Sequence, residues 1–292
     1  MKIGLTAHPD KPKALDLASE CLRIVGSRAE VILSDEAARA DPGRPHLPLE
    51  RIDCDVLVAI GGDGTFLHAL QRSNAPLLPI NAGTVGVLAE VETRHPKEFE
   101  WALERLLKGF YFLEERMKLA AQIGNRSLPD ATNEFVVHSA AVAKMGLFEL
   151  AFDGHVAGRL RADGLIVASP TGSTAYSLSS RGPIVDSSVD AIVLAAIAPF
   201  RTDPRALVLE PMRTIRLRPV EEKPGAVVVV DGETEYPLTP TDPVTIYRSP
   251  RRAVLLRFGS RFFQRLRGKR ILPWSEEFAE EGPSLADLPP PT

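Results

Sequence analysis

Cysteine, tryptophan and methionine are sparse in this 292-residue chain, with two, two and four copies respectively. Cys21 and Cys54 cannot staple a fold of this size. Neither stands in a CxxC pair or has a histidine companion at metal-ligand spacing, which excludes a disulfide scaffold and a zinc module and leaves two buried free thiols. Strong charge of either sign is missing as well. The 35 Lys+Arg against 38 Asp+Glu leave a net −3, so the overall balance favours neither nucleic acid nor an anionic membrane as partner, and any anion binding must be local. The most continuous apolar run, Ala191 to Phe200, falls far short of the ~20 residues that a membrane-spanning helix needs. Met1-Lys2-Ile3-Gly4-Leu5 runs straight into a strand, without the basic, apolar and small-residue segments of a secretory signal. These absences predict a protein of the reducing cytoplasm, with no membrane and no nucleic-acid partner.

Apolar material is plentiful, at 44% of residues, enough for one large core or two ordinary ones. In the first hundred or so residues, apolar runs at Lys2–Ala7, Glu30–Leu33, Asp55–Ile60 and Leu77–Ile80 alternate with helix-period segments such as Lys13–Val25. Such alternation predicts a parallel sheet covered by helices. Between Ser34 and Glu50, Pro42, Pro45 and Pro48 are spaced so that neither helix nor central strand is expected to persist, and the stretch reads as a surface loop. A helix over Pro96–Lys108 closes this half. Beyond it, turn signals such as Gly124-Asn125 and Asp153-Gly154 separate short strands, the later ones at Ala191–Ala198, Thr214–Arg218, Ala226–Val230, Val244–Tyr247 and Ala253–Phe258. The expected fold class is an α/β N-terminal nucleotide-binding domain over 1–115 followed by a β-rich, β-sandwich-like C-terminal domain over 116–258. Past Arg265 the chain turns basic, then acidic, and ends in Leu288-Pro289-Pro290-Pro291-Thr292. So little apolar surface cannot offset the entropy of ordering, and 281–292 is expected to be disordered.

Four stretches carry chemistry. In the first, the buried strand Asp55–Ile60 empties into Gly61-Gly62-Asp63-Gly64-Thr65 and then a helix starting near Thr65. Backbone N–H groups at such a turn, reinforced by the helix N-terminus, suit a phosphate. An acidic Asp63 inside a phosphate cradle needs a reason: it binds a metal, or it takes a proton from an attacking hydroxyl. The plainer alternative is a tight turn in which Asp63 caps the helix. The second stretch, Asn81-Ala82-Gly83-Thr84-Val85-Gly86, follows the next parallel strand and so lies beside the first. The third is Asn133-Glu134, a donor–acceptor set suited to ribose hydroxyls or an adenine edge, although by itself the dipeptide reads better as a turn. The fourth runs from Ala162-Asp163-Gly164 through a buried strand to Ser169-Pro170-Thr171-Gly172-Ser173-Thr174-Ala175-Tyr176-Ser177, whose hydroxyls and helix-start amides suit phosphate or ribose.

In this order and on this plan, these motifs resemble the NAD kinase family over roughly residues 1–260. The resemblance implies that Asp63 accepts the proton of the adenosine ribose 2′-hydroxyl of NAD, with Gly64 beside it and Gly61 and Gly62 in the same cradle. It implies that Asn133 and Glu134 hold the ribose and adenine region, and that Thr174, Ala175, Tyr176, Ser177, Leu178 and Ser179 line the dinucleotide site. Arg161 and Asp163 match residues that reach NAD, often from a neighbouring subunit, while Lys144, Ala198 and Glu233 fall at further contact positions. His68, one helical turn past the glycine turn, reads better as a solvated helix residue than as a phosphate contact. The family usually has Phe where this chain has Val87, and Pro-His where it has Pro199-Phe200 followed by Arg201-Thr202-Asp203; these departures bear on local pocket shape.

The resemblance further implies a homodimer or homotetramer with residues shared between subunits, and a segment 259–280 that packs back on the first domain. NAD is then the acceptor, ATP or inorganic polyphosphate the donor, and a divalent ion, usually Mg²⁺, arrives on the triphosphate with no protein cage of its own. Phosphoryl transfer needs in-line placement and charge neutralisation more than covalent help, which the glycine turns and the ion would supply. Lipid kinases and phosphofructokinases also carry Gly-Gly-Asp-Gly, but the Thr171–Ser177 stretch argues against both. A non-catalytic dinucleotide-binding regulator would have no use for Asp63.

Overall fold

The computed structural model describes residues 1–83, 86–93, 96–201, 204–259 and 266. The chain divides into two compact units, Met1–Glu115 with the chain from Val254 onward, and Arg116–Ala253.

The first unit is built on parallel strands in the order His46–Leu47, Glu30–Ser34, Lys2–Ala7, Val56–Gly61, Leu77–Asn81. Val91–Glu92 and the end of Val244–Arg257 both pair in parallel with Leu77–Asn81, at opposite ends of it. Every residue of Val56–Gly61 and of Leu77–Asn81 is buried, which is why these strands read as unbroken apolar runs with no alternation. Helix Pro12–Val25 turns Ala14, Ala18, Cys21 and Val25 inward, and with Phe99, Ala102, Leu103 and Leu106 of helix Pro96–Leu107 they cover one face. Burial, helped by the charge of Glu20, pushes the Cys21 thiol up to about 12. Cys21 and Cys54 are both free, and only Cys21 is fully buried.

The second unit contains a six-stranded antiparallel sheet in the order Leu207–Leu209, Ile192–Ile197, Gly164–Ala168, Glu134–Ser139, Ala226–Val230, Thr234–Leu238. Opposite it lie His155–Ala162, Gly146–Phe152, Ile215–Pro219 and the start of Val244–Arg257, again antiparallel. Phe148, Ile215, Leu217, Val244 and Ile246 from one sheet share a core with Phe135, Val137, Leu165, Val167 and Val228 from the other, a sandwich arrangement. The far face of the six-stranded sheet is buried too, through Val136, Ile166, Ala168, Val193 and Ala195.

Three local expectations differ from the structure. The proline-rich stretch 34–50 is not all loop: 3₁₀ turns form at Asp35–Ala40 and Leu49–Arg51 and a short strand at His46–Leu47. None of the three prolines falls inside these elements, and burial of Ala37 and Leu49 anchors them. The strands expected at Val244–Tyr247 and Ala253–Phe258 are one strand, Val244–Arg257; Pro250 lies within it and is exposed, as a residue without a ladder N–H must be placed. The helix after the glycine turn begins at Asp63 itself. Apart from 259 and 266, the expected packing segment 259–280 and the tail 281–292 lie outside the described residues.

Candidate active site

In the first unit, the functional groups gather where parallel strands end. Val56–Gly61 stops at Gly61, Gly62 stands in extended conformation as the helix cap, and Asp63–Arg72 begins at once. A Cβ on Gly61 would sit 2.2 Å from the Thr65 hydroxyl oxygen, so only glycine lets the helix start this close to the strand. Asp63 is the first residue of that helix. Its carboxylate reaches the second glycine turn, where Oδ2 accepts from the N–H of Val87 at 2.8 Å and Oδ1 from that of Leu88 at 3.2 Å.

Asn81, fully buried, shapes the same turn. Its Nδ2 donates to Glu92 at 2.7 Å and its Oδ1 accepts from the Gly83 N–H at 2.9 Å. Behind Leu88 lies Arg257, 1% exposed. Its guanidinium donates to the Leu88 carbonyl at 3.0 Å, to Glu90 at 3.1 Å and to Glu114 at 2.6 Å. The turn that grips Asp63 is thus held from below by a buried ion pair. Motif reasoning missed Lys11, whose Nζ comes within 3.7 Å of where a Cβ on Gly62 would lie. Its signal was positional, because the loop after the first parallel strand opens on the same sheet edge.

His68 sits on helix Asp63–Arg72 and is engaged elsewhere: Nδ1 is 2.8 Å from an Arg72 guanidinium nitrogen and Nε2 is 3.5 Å from Glu36. The bond from His68, with one from Ser34, outweighs burial and holds the Glu36 carboxyl down at about 2.

In the second unit, the functional groups are buried acids and hydroxyls. Glu134 opens a strand whose partner across the ladder is Ala168, the last strand residue before the hydroxyl-rich loop. The loop folds onto this point: Ser169 N–H donates to the Asn133 carbonyl at 2.8 Å and Ser169 Oγ to that of Thr132 at 2.5 Å. A Cβ on Gly172 would lie 2.2 Å from the Asn133 oxygen, so the Thr-Gly-Ser run is a contact surface for Asn133 as well as a turn. Four buried polar atoms here have no hydrogen-bond partner among the described residues: Thr132 Oγ1, Glu134 Oε2, Thr171 Oγ1 and Ser177 Oγ. Buried polar atoms are normally satisfied, and unmatched donors and acceptors beside one loop are what a polar ligand would complete. Burial first, and the Asp231 carboxylate second, pushes the Glu134 carboxyl up to about 8. Glu134 therefore carries its proton at neutral pH and can donate a hydrogen bond.

The remaining expected positions separate. Tyr176, Ser179 and Ala198 line one cavity of about 580 Å³, together with Arg181 and Arg205. Thr174 bonds back to the Thr171 carbonyl at 3.2 Å, and Ala175 and Leu178 are half-buried. Arg161 and Asp163 lie at the opposite end of Gly164–Ala168 from the hydroxyl loop, with Arg161 Nη2 3.6 Å from Glu221 and the Asp163 N–H on the Ile197 carbonyl. Lys144 and Glu233 are exposed in turns. The glycine turn and the Asn133–Glu134 site are thus each assembled within its own unit. Among the described residues, no group of three or more His, Cys, Asp or Glu side chains is placed to hold a metal ion.

Comparison with known proteins covers most of the chain. The ATP-NAD kinase N-terminal domain matches residues 3–111 and the ATP-NAD kinase C-terminal domain matches 132–258. The NAD kinase of Thermococcus sibiricus is 36% identical over 269 residues, covering 90% of this chain and 96% of the relative. That of Thermococcus gammatolerans is 37% identical over 274 residues, covering 91% and 97%. Among solved structures, an NAD kinase from Archaeoglobus fulgidus in complex with ATP is 30% identical, with a TM-score of 0.73 over 92% of this chain and 98% of that one. Yeast NADH kinase complexed with NADH is 24% identical, with a TM-score of 0.84 over 96% and 90%, and shows the shared fold. With its strand-end aspartate, its Asn-Glu pair and these matches across both halves, the chain belongs to the NAD kinase family.

Proposed function

We propose that the chain phosphorylates the adenosine ribose 2′-hydroxyl of NAD, with ATP or inorganic polyphosphate as donor, to form NADP. The observation that carries this is the Asp63 carboxylate, aimed by two backbone amides and set at a glycine-rich helix start suited to phosphate. Asp63 takes the hydroxyl proton as the oxygen bonds to the donor's terminal phosphorus, whose bond to the bridging oxygen breaks to release ADP, or polyphosphate one phosphate shorter. Gly61, Gly62 and Gly64 leave the backbone open to the donor phosphates, and Lys11 adds a cation beside them.

Asn133 and the protonated Glu134 hold the ribose. The Thr174–Ser179 segment and Ala198 line the dinucleotide site, with Lys144 and Glu233 at its margin. A divalent ion such as Mg²⁺ would arrive on the donor and supply charge neutralisation, with the Asp63 carboxylate nearest to it, since no ligand cluster of three or more groups forms among the described residues. Arg161 and Asp163 act across a subunit contact in a homodimer or homotetramer of the cytoplasm, because both lie at the far end of a strand from Thr171–Tyr176, and a strand of five residues spans about 17 Å.

NADP formation from NAD, assayed with ATP and with polyphosphate in the presence of Mg²⁺, tests the reaction. Tight NAD binding without product under every donor would leave only the regulator. Subunit sharing has its own test: an Asp63→Asn chain co-expressed with an Asp163→Ala chain regains one intact site per mixed dimer. No gain over the parent homodimers would place Asp163 within its own chain's site or outside any site.

A further inference from the structure

Asp231-Gly232 joins Ala226–Val230 to Thr234–Leu238 and looks like an ordinary hairpin turn, with both residues at positive φ. Such a turn closes on backbone bonds alone and leaves an aspartate side chain free to face water. Asp231 instead is 7% exposed. Its Oδ2 accepts from the N–H of Thr132 at 2.8 Å, and its Oδ1 from those of Asn133 at 2.8 Å and Glu134 at 3.1 Å. Its own N–H donates to the Glu134 carbonyl at 3.0 Å. The Asn133–Glu134 backbone is therefore pinned on both sides, its amides by Asp231 and the Asn133 carbonyl by Ser169.

We propose that Asp231 is a positioning residue of the dinucleotide site, whose carboxylate holds the main chain of Thr132–Glu134 so that the Asn133 and Glu134 side chains stand ready for NAD. The inference rests on the assignment of Asn133 and Glu134 to NAD. Charge-assisted bonds to three amides make a stiff clamp, and a side chain set before binding loses less entropy when the ligand arrives. The negative charge serves a second purpose, since it helps keep Glu134 in the acid form that donates. Burial also raises Asp231 itself, to about 6, against the three amides and the Lys118 ammonium that lower it. Asp231 thus remains the ionised member of the pair at neutral pH.

Asp231→Asn keeps the size and tolerates the positive φ, but loses the charge and one acceptor. The NAD KM should rise about tenfold, with kcat and the ATP KM within about twofold. In an Asn133→Ala/Glu134→Ala background the same substitution should add less than about twofold, because the groups it positions are gone. Equal effects in both backgrounds, or a loss of kcat at unchanged NAD KM, would overturn the proposal. If the Asn133→Ala/Glu134→Ala protein itself keeps the wild-type NAD KM, the assignment of these residues falls and the proposal with it. Failure of the clamp alone shows differently, as a raised KM in that variant and none in Asp231→Asn. A measurement on the wild type does not depend on folding of a variant: the amides of Thr132, Asn133 and Glu134 should resist hydrogen exchange without NAD, and exchange at free-loop rates would equally overturn it.

Discussion

The two units solve the same problem, a buried charge beside a proposed binding site, by opposite means. In the first, Arg257 is neutralised by opposite charge, with Glu90 and Glu114 on its guanidinium. In the second, the neighbouring acids Glu134 and Asp231 are relieved by a proton. A buried ion pair is insensitive to pH across the neutral range but intolerant of losing one partner. A protonated acid tolerates a neutral isostere but not alkali. The difference teaches how each unit will fail.

The largest expected effect lies in the first unit. Asp63→Asn fills the same space and can still accept a hydrogen bond but cannot take a proton, so turnover should fall ~10²–10⁴-fold with NAD affinity within a few-fold. Steady-state kinetics with NAD titration checks this, and an active variant ends the assignment of Asp63 as base.

Next is the ion pair beneath it. Arg257→Met takes the guanidinium from two carboxylates, one of them fully buried, and should cost about 3–5 kcal/mol of stability in denaturant unfolding. Arg257→Met combined with Glu90→Gln and Glu114→Gln should recover much of the loss, and no recovery would mean that packing and not charge is at stake.

In the second unit the expected effect is one of pH. Folding raises the Glu134 pKa from the ordinary 4.5 to about 8. The acid is the form that the fold favours, so its contribution to stability is fully present below pH 4.5 and is lost as pH rises through about 8. The NAD KM should climb over the same alkaline limb, as Glu134 ceases to donate. Glu134→Gln retains a donor and should flatten both profiles, whereas Glu134→Ala should raise the NAD KM at every pH. A wild-type profile flat from pH 6 to about 9.5 would erase the contrast between the units.

The smallest effect is expected at His68, which is occupied by Glu36 and Arg72. His68→Gln should change kcat/KM by less than about threefold. A larger loss, restricted to the donor KM, would return His68 to the phosphates.

The legibility of the two halves differed for the same structural reason. Gly61-Gly62-Asp63-Gly64 was readable because a parallel strand, its turn and the following helix are consecutive in the chain, and the carboxyl edge of such a sheet is where ligands bind. The Thr171–Tyr176 loop was readable by its density of hydroxyls. Asp231 was not, because Asp-Gly after a β-branched run is also the commonest signal for a hairpin, and nothing local reports that its side chain turns inward. Lys11 lacked any motif, and Arg257 looked like an ordinary strand residue.

Composition and periodicity determined by themselves that the chain would build a helix-covered parallel sheet and then a β-rich unit, and they placed the glycine turn at a strand end. Those features depend on neighbours in sequence, through dihedral preference and burial pattern. Tertiary structure alone decided that Asp63 binds the amides of Val87 and Leu88, that Arg257 supports their turn, and that Asp231 clamps residues 97–99 positions away. Each of these joins a charge to backbone groups distant in sequence, and backbone amides and carbonyls carry no side-chain signature by which a sequence could announce its partner.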